Sequence, residues 1–172
     1  MGFSLISSLL AGFLATVMLS LALEVASLRG MTSMPTMPLI LGTFVSGDHD
    51  LAVAIGSALH FAVIGPVVTG SLYGLLFSFI DASWWLAILV GLLHGTVIGV
   101  GMGYLSTVHP RIIDVSATVP DGGVAAADLR DGVVLKDPRV FGVGWGDLTP
   151  VVLVGSYACY GLVFALVYSQ LA

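Results

Sequence analysis

Charged side chains are scarce in this chain. Only 9% of its 172 residues are Asp, Glu, Lys or Arg, against about a quarter in an average soluble domain. Basic residues are the rarest, five Lys and Arg in all, and no run of them suggests a nucleic-acid surface. The single cysteine, Cys159, excludes an internal disulfide and has no partner for a CxxC site. Inside an apolar stretch it reads as a small buried hydrophobe. Walker, HExxH and GxSxG patterns are also missing, so no enzyme is expected.

What is abundant is apolar. Hydrophobic residues make up 58% of the chain and the mean hydropathy is +1.08. A soluble domain of this size exposes too much of its surface to hide that composition, whereas a bilayer removes the difficulty. Four segments, about 3–28, 51–80, 84–108 and 148–171, are long enough to cross roughly 30 Å of hydrocarbon. Lipid offers no hydrogen bonds to an open backbone, so each must be helical. The first has no charged n-region and is too long for a signal peptide, so it reads as a retained span. The expected fold is therefore an all-α membrane protein, one domain over 1–172, with four transmembrane helices and a polar loop at 109–147.

The linkers carry their own signals. Between the first two spans, Pro35 and Pro38 can open a helix and Gly47 can end one. The apolar part, Met37 to Val45, is too short to span, and a short interfacial helix is expected there. Asp81-Ala82-Ser83 joins spans two and three, which predicts a tight antiparallel hairpin. His109-Pro110 ends the third span. Pro120-Asp121-Gly122 and Asp131-Gly132 read as turns, and Val133, Val134 and Leu135 as a short strand. Asp147 and Thr149 are candidate caps of the fourth span, with Pro150 in its first turn. Tyr73-Gly74 and Tyr160-Gly161, together with Gly12 and Gly91 at matching points of spans one and three, suggest a duplicated two-helix hairpin about an axis along the membrane normal. A competing match, His60 to Gly65 against His94 to Gly99, would pair antiparallel helices instead.

Gly91, Gly95, Gly99 and Gly103 recur every four residues and form a stripe on one face. Such stripes let membrane helices approach closely, so these four are assigned to helix packing. Gly70-x-x-x-Gly74 is a possible counterpart. Three ionisable residues lie within the spans: Glu24, His60 and His94. Intramembrane ionisable groups are costly and mark candidate sites. The plainer alternative is that each histidine is neutral and bonds a neighbouring helix, the Ala62 carbonyl freed by Pro66 being one acceptor, while Glu24 reaches Arg29 or water. Met31, Met34 and Met37 resemble thioether sites for soft metals, but suit an adaptable interfacial segment better. Asp114, Asp121, Asp128, Asp131 and Asp137 are too widely spaced for an EF-hand loop and read as a solvated face.

His60 with Gly65, His94 with Gly99, and Tyr160-Gly161 resemble the pattern of small uncharacterised four-helix integral membrane proteins of archaea and bacteria. Ser156 departs from it, standing where that pattern often has another histidine. The resemblance implies the four-helix fold and brings no activity. The leading expectation is a non-enzymatic packing or accessory subunit of a homo-oligomer or larger membrane complex, with lipid and other membrane subunits as partners. A small transporter or channel using Glu24, His60 and His94 is the alternative, and a haem or redox subunit the third. For haem the depths disagree: His60 lies about 14 Å and His94 about 21 Å from the same side at ~1.5 Å per residue. No cofactor and no metal are expected.

Arg29 lies in the first connecting loop, and Arg111, Arg130, Lys136 and Arg139 lie in the third. The positive-inside rule then puts loops 29–50 and 109–147 in the cytoplasm of a cell-membrane protein and both termini outside. A cysteine placed within 121–135 in a Cys159→Ser background should resist an impermeant maleimide in intact cells. Ready labelling there would reverse the orientation.

Overall fold

The computed structural model describes residues 3–80, 83–113 and 132–172. Four helices are long and apolar enough to cross a membrane: Leu5–Leu28, His49–Phe79, Trp84–Met102 and Thr149–Leu171, called helices one to four below. The expected bounds hold to within a few residues except at the end of helix three. There, Gly103 N–H bonds Val100 O at 3.1 Å and Tyr104 N–H bonds Gly101 O at 3.0 Å. The helix tightens and stops at its glycines, and a separate turn, Leu105–Val108, follows.

Helix one lies between helices two and four, and helix four lies between helices one and three. The expected tight packing of helices two and three does not occur; their joining residues Asp81 and Ala82 lie outside the described residues. Small residues decide the pairing. A Cβ added at Gly12 would stand 2.7 Å from the Cα of Gly70 on helix two, and one at Gly91 would stand 2.9 Å from the Cα of Ala158 on helix four. Gly95 faces Val154 and Tyr157, whereas Gly99 and Gly103 are covered by Phe141 and Val140. The facing sides of helices two and three carry Ile64, Val68, Leu72 and Ile98 instead, and cannot close to backbone distance. Half of helix four's most apolar stretch is buried, against 28% for helices two and three, so helix four is the centre of the bundle.

Helix two is not uniform. Across Leu59–Gly70 it widens into a π-helix with Pro66 inside. Proline has no N–H and its ring crowds the carbonyl four residues back, which disfavours the ordinary α-helical bond. π-segments of any length are rare and concentrate at functional positions. Here the wide turn carries Gly65 onto the Thr16 side chain of helix one.

The two long connections dock on each other at one end of the bundle. A short helix forms at Met37–Gly42, capped by Thr36 with Pro38 in its first turn. Ser33 N–H donates to Trp145 O at 2.7 Å, and Val133 N–H donates to Gly47 O at 2.8 Å. Gly47 thus takes the N–H of Val133, and the expected strand at 133–135 begins later: Ile112–Ile113 pairs in parallel with Leu135–Lys136. Nor do Asp147 and Thr149 cap helix four. Leu148 holds the cap position without a side-chain cap: Thr149 is already the first helical residue, its buried hydroxyl bonding Thr32 Oγ1 at 2.7 Å, and Asp147 lies one residue before the cap position. The turns read at Pro120-Asp121-Gly122 and at Asp131, Arg130, and the acidic residues from Asp114 to Asp131 lie outside the described residues.

His109 does more than end a helix. Its Nδ1 accepts the Arg111 N–H at 3.1 Å, which leaves the proton on Nε2, 3.1 Å from Ile40 O and 3.2 Å from Thr43 Oγ1. The Phe44 ring lies 4.1 Å away, centroid to centroid. This buried neutral imidazole ties the end of helix three to the 37–42 helix. Burial holds its pKa below the ordinary 6.5; the Ile40 carbonyl opposes this, and the Arg111 guanidinium adds to it.

Leucine at Gly12 or Gly91 should destabilise the bundle by about 1–3 kcal/mol, as overpacking does, and to a similar extent in both. Gly101→Leu, where a Cβ meets nothing within 4 Å, should be neutral. Thermal unfolding followed by size-exclusion chromatography reads this out; equal midpoints for all three variants would refute close packing. The His109 latch predicts a pH effect. The unfolded chain takes up a proton near pH 6.5 and the folded latch at lower pH, so its contribution is complete above about 6.5 and lost as pH falls through that window. The fall in midpoint between pH 7.5 and pH 5 should be smaller in His109→Gln than in wild type, and an unchanged slope would exclude the latch.

Candidate functional site: an intramembrane cleft

Because helices two and three stand apart, a cleft of about 480 Å³ opens between them. Its floor comes from helix one, through Thr16 and Leu19, and helix four, through Tyr157 and Tyr160. Ile64, Val68, Leu72, Leu76 and Ile98 form apolar walls, and no charged side chain among the described residues lines it. Val68, Leu72 and Leu76 are also exposed on the outer surface, so the lips face outward, where lipid would lie.

The polar groups of the cleft come from all four helices. His60, in the first turn of the π-segment, is buried and shares a 3.1 Å hydrogen bond with Ser20 Oγ through Nε2. His94 lies one residue before Gly95, about 100° around the helix, so it points into the cleft while the glycine faces helix four. Its Nδ1 shares a 3.1 Å hydrogen bond with the Tyr73 hydroxyl, which joins helices two and three across the gap. The His94 ring lies 4.6 Å from Tyr157, and Tyr73 lies 5.2 Å from Tyr160. The Tyr160 hydroxyl is fully buried; the Thr16 side chain stands beside it, but no hydrogen bond of good geometry forms among the described residues. Below it, Phe164 stacks on Phe77 at 6.0 Å and on Tyr168 at 5.6 Å. This aromatic column seals the bundle toward the chain termini.

The structure therefore brings two of the three expected polar residues, His60 and His94, to one cleft. Glu24 is not in it. It is exposed and lines a second groove of about 560 Å³ on the other side of helix one. Ser20 lines that groove too, so its bond to His60 links the two cavities. Glu24 and Arg29 form no ion pair among the described residues. His60 meets Ser20 rather than the carbonyl freed by Pro66. The glycine stripe has helix four and the 140–141 segment against it, which leaves no space there for a flat cofactor. The methionines are divided: Met34 and Met37 line the Glu24 groove and Met31 does not. No group of three His, Cys, Asp or Glu side chains able to hold a metal occurs among the described residues.

The tyrosines were the missed part of the site. Tyr157, Tyr160, Phe164 and Tyr168 recur at helical spacing, a signal that a buried aromatic face produces as readily as a site does. In the sequence, Tyr73 stands out only as a repeat marker, and Tyr160 as a repeat marker and part of the resemblance. No family model, curated protein or solved structure matches the chain, so the geometry of the cleft alone guides its functional reading.

Proposed function

We propose that this is a non-enzymatic membrane protein of the binding or transport class, and that the cleft between helices two and three takes a small uncharged molecule from the bilayer. The observation that carries the reading is the Tyr160 hydroxyl, buried at the floor of a cleft that His60 and His94 also line, with the Thr16 side chain beside it but no hydrogen bond of good geometry among the described residues. An unsatisfied buried hydroxyl costs about 1–3 kcal/mol, a cost that a ligand oxygen would remove. The cleft volume falls within the usual range for small-molecule sites, which combine apolar walls with a few convergent polar groups. With no charge in the lining, the fitting ligand is neutral and carries hydrogen-bond acceptors on an apolar body.

The packing-subunit reading keeps one specific support. Helices two and three are the least buried of the four, and a helix from a partner could fill the gap between them. Orientation belongs to the proposal as well: the interlocked connections support placing loops 29–50 and 109–147 on one side of the membrane, with 37–42 at the interface.

The hairpin duplication is favoured by the packing registers. Gly74 lies against Ser8, and Gly161 lies against Ala87; Ser8 and Ala87 each stand four residues before the matched Gly12 and Gly91. Likewise Gly70 meets Gly12, and Tyr157 meets Gly91. Similar losses in the two leucine variants above are what such a repeat requires.

Decylubiquinone, a neutral carbonyl amphiphile, serves as the probe for the cleft. Protein in nanodiscs should bind it saturably at one site per chain. His94→Ala and Tyr160→Phe should weaken binding about tenfold, the worth of one hydrogen bond, while Tyr160→Phe leaves thermal stability unharmed. Absence of saturable binding, together with mild-detergent particles holding more than one chain, would replace this reading with the packing subunit.

A further inference from the structure

The groove on the other side of helix one differs from the cleft in kind. It runs along helix one from Phe13 to Ser27, roughly 21 Å at ~1.5 Å per residue. Its lining is almost wholly apolar, with the Phe13 and Phe61 rings and the Met34 and Met37 thioethers. Among the described residues one charged group lines it, the Glu24 carboxylate at the end nearest the connecting loops, with Ser20 and Ser27 one turn to either side. Glu24 has no hydrogen bond or ion pair with any described residue, although Arg29 follows it closely in sequence.

Helix three shows that this opening is not a general feature of the loop end of the bundle. There Gly99 and Gly103 are covered directly by Phe141 and Val140, and the surface is closed. At Ser20 and Glu24 the corresponding surface stays open, with a negative group at the head of a long apolar channel.

We infer that the groove beside Glu24 is a second binding site, and that it takes an amphipathic organic monocation. The cationic head sits against the Glu24 carboxylate with Ser20 and Ser27 hydroxyls beside it, and the apolar body lies along the groove toward Phe13. Charge complementarity selects the sign, because a neutral ligand would leave the carboxylate unpaired and an anion would be repelled. Aromatic faces attract cations and thioethers pack adaptably, so Phe61, Met34 and Met37 suit a broad, soft cation better than a small hydrated one, and Phe13 at the far end suits the apolar body. An alkali ion finds one carboxylate here and, among the described residues, only the hydroxyls of Ser20, Ser27, Thr36 and Ser57 spread along a mostly apolar groove, not the convergent set of roughly six to eight hard oxygens that makes a cage. The site stands independently of the neutral cleft, which lies beyond the Ser20–His60 hydrogen bond.

Tritiated tetraphenylphosphonium is the probe, with the full chain in nanodiscs of zwitterionic lipid. Wild type should bind it saturably at about one per chain, in competition with dodecyltrimethylammonium but not with neutral dodecyl maltoside. Glu24→Gln should lose at least tenfold in affinity and Glu24→Asp less, while Phe61→Ala weakens binding with Glu24 intact. His94→Ala, which alters only the other cleft, should bind as wild type does. Size-exclusion profiles confirm that each variant is folded. Equal binding by wild type and Glu24→Gln, or competition by dodecyl maltoside, would reduce the groove to a partition site for any lipophile and overturn the assignment. So would the absence of saturable wild-type binding. Loss of decylubiquinone binding in His94→Ala without loss of tetraphenylphosphonium binding separates the two sites.

Discussion

Backbone-to-backbone approach at two helix crossings is the constraint on which the rest of this structure depends. Lipid tails are as apolar as leucine, so helices in a bilayer gain little by burying hydrocarbon against one another; close van der Waals contact has to hold them. Here that contact falls where Gly12 meets Gly70 and where Gly91 meets Ala158 and Gly161. Helix one is thereby committed to helix two, and helix three to helix four. The crossing of helices one and four then joins the pairs, with the buried Tyr160, Phe164 and Tyr168 rings along it.

A bundle built this way leaves one side open. Helices two and three have spent their small faces elsewhere, and their remaining faces carry branched and bulky residues. The gap between them becomes the cleft, and His60, His94 and the hydroxyls of Tyr73 and Tyr160 collect there or at its floor, while Glu24 lies on the other side of helix one. His60 and Ser20 satisfy one another, as do His94 and Tyr73, but Tyr160, with Thr16 beside it, makes no hydrogen bond of good geometry among the described residues. The π-segment contributes to the same arrangement: widening helix two at Pro66 brings Gly65 onto Thr16 and sets His60 beside helix one.

The connections hold the open bundle at one end. Trp145 donates its indole N–H to Lys136 O at 2.9 Å while its own carbonyl accepts from Ser33, and His109 pins the end of helix three to the 37–42 helix. These contacts link the loop after helix one to the loop before helix four. They tie the bundle together at the loop end, where helices two and three hardly touch.

The sequence by itself determined the number of long helices and their places in the chain, because uninterrupted apolar length is a local property and charge is nearly absent from those stretches. It also determined that Gly91 and Gly95 would lie on one face, and that Glu24, His60 and His94 would be the polar exceptions, since helical spacing and composition are read residue by residue. Only the tertiary structure decided which helices pair. A three-residue connection suggested that helices two and three would pack, but a short link limits distance at one end and supplies no contact energy along the rest. Close approach of glycines on other faces outweighed it. The same pairing put His60 and His94 on one cleft, sent Glu24 to another groove, and set Tyr157 and Tyr160 at the floor of that cleft. Those outcomes depend on which faces meet across space, and no local pattern in the chain encodes that.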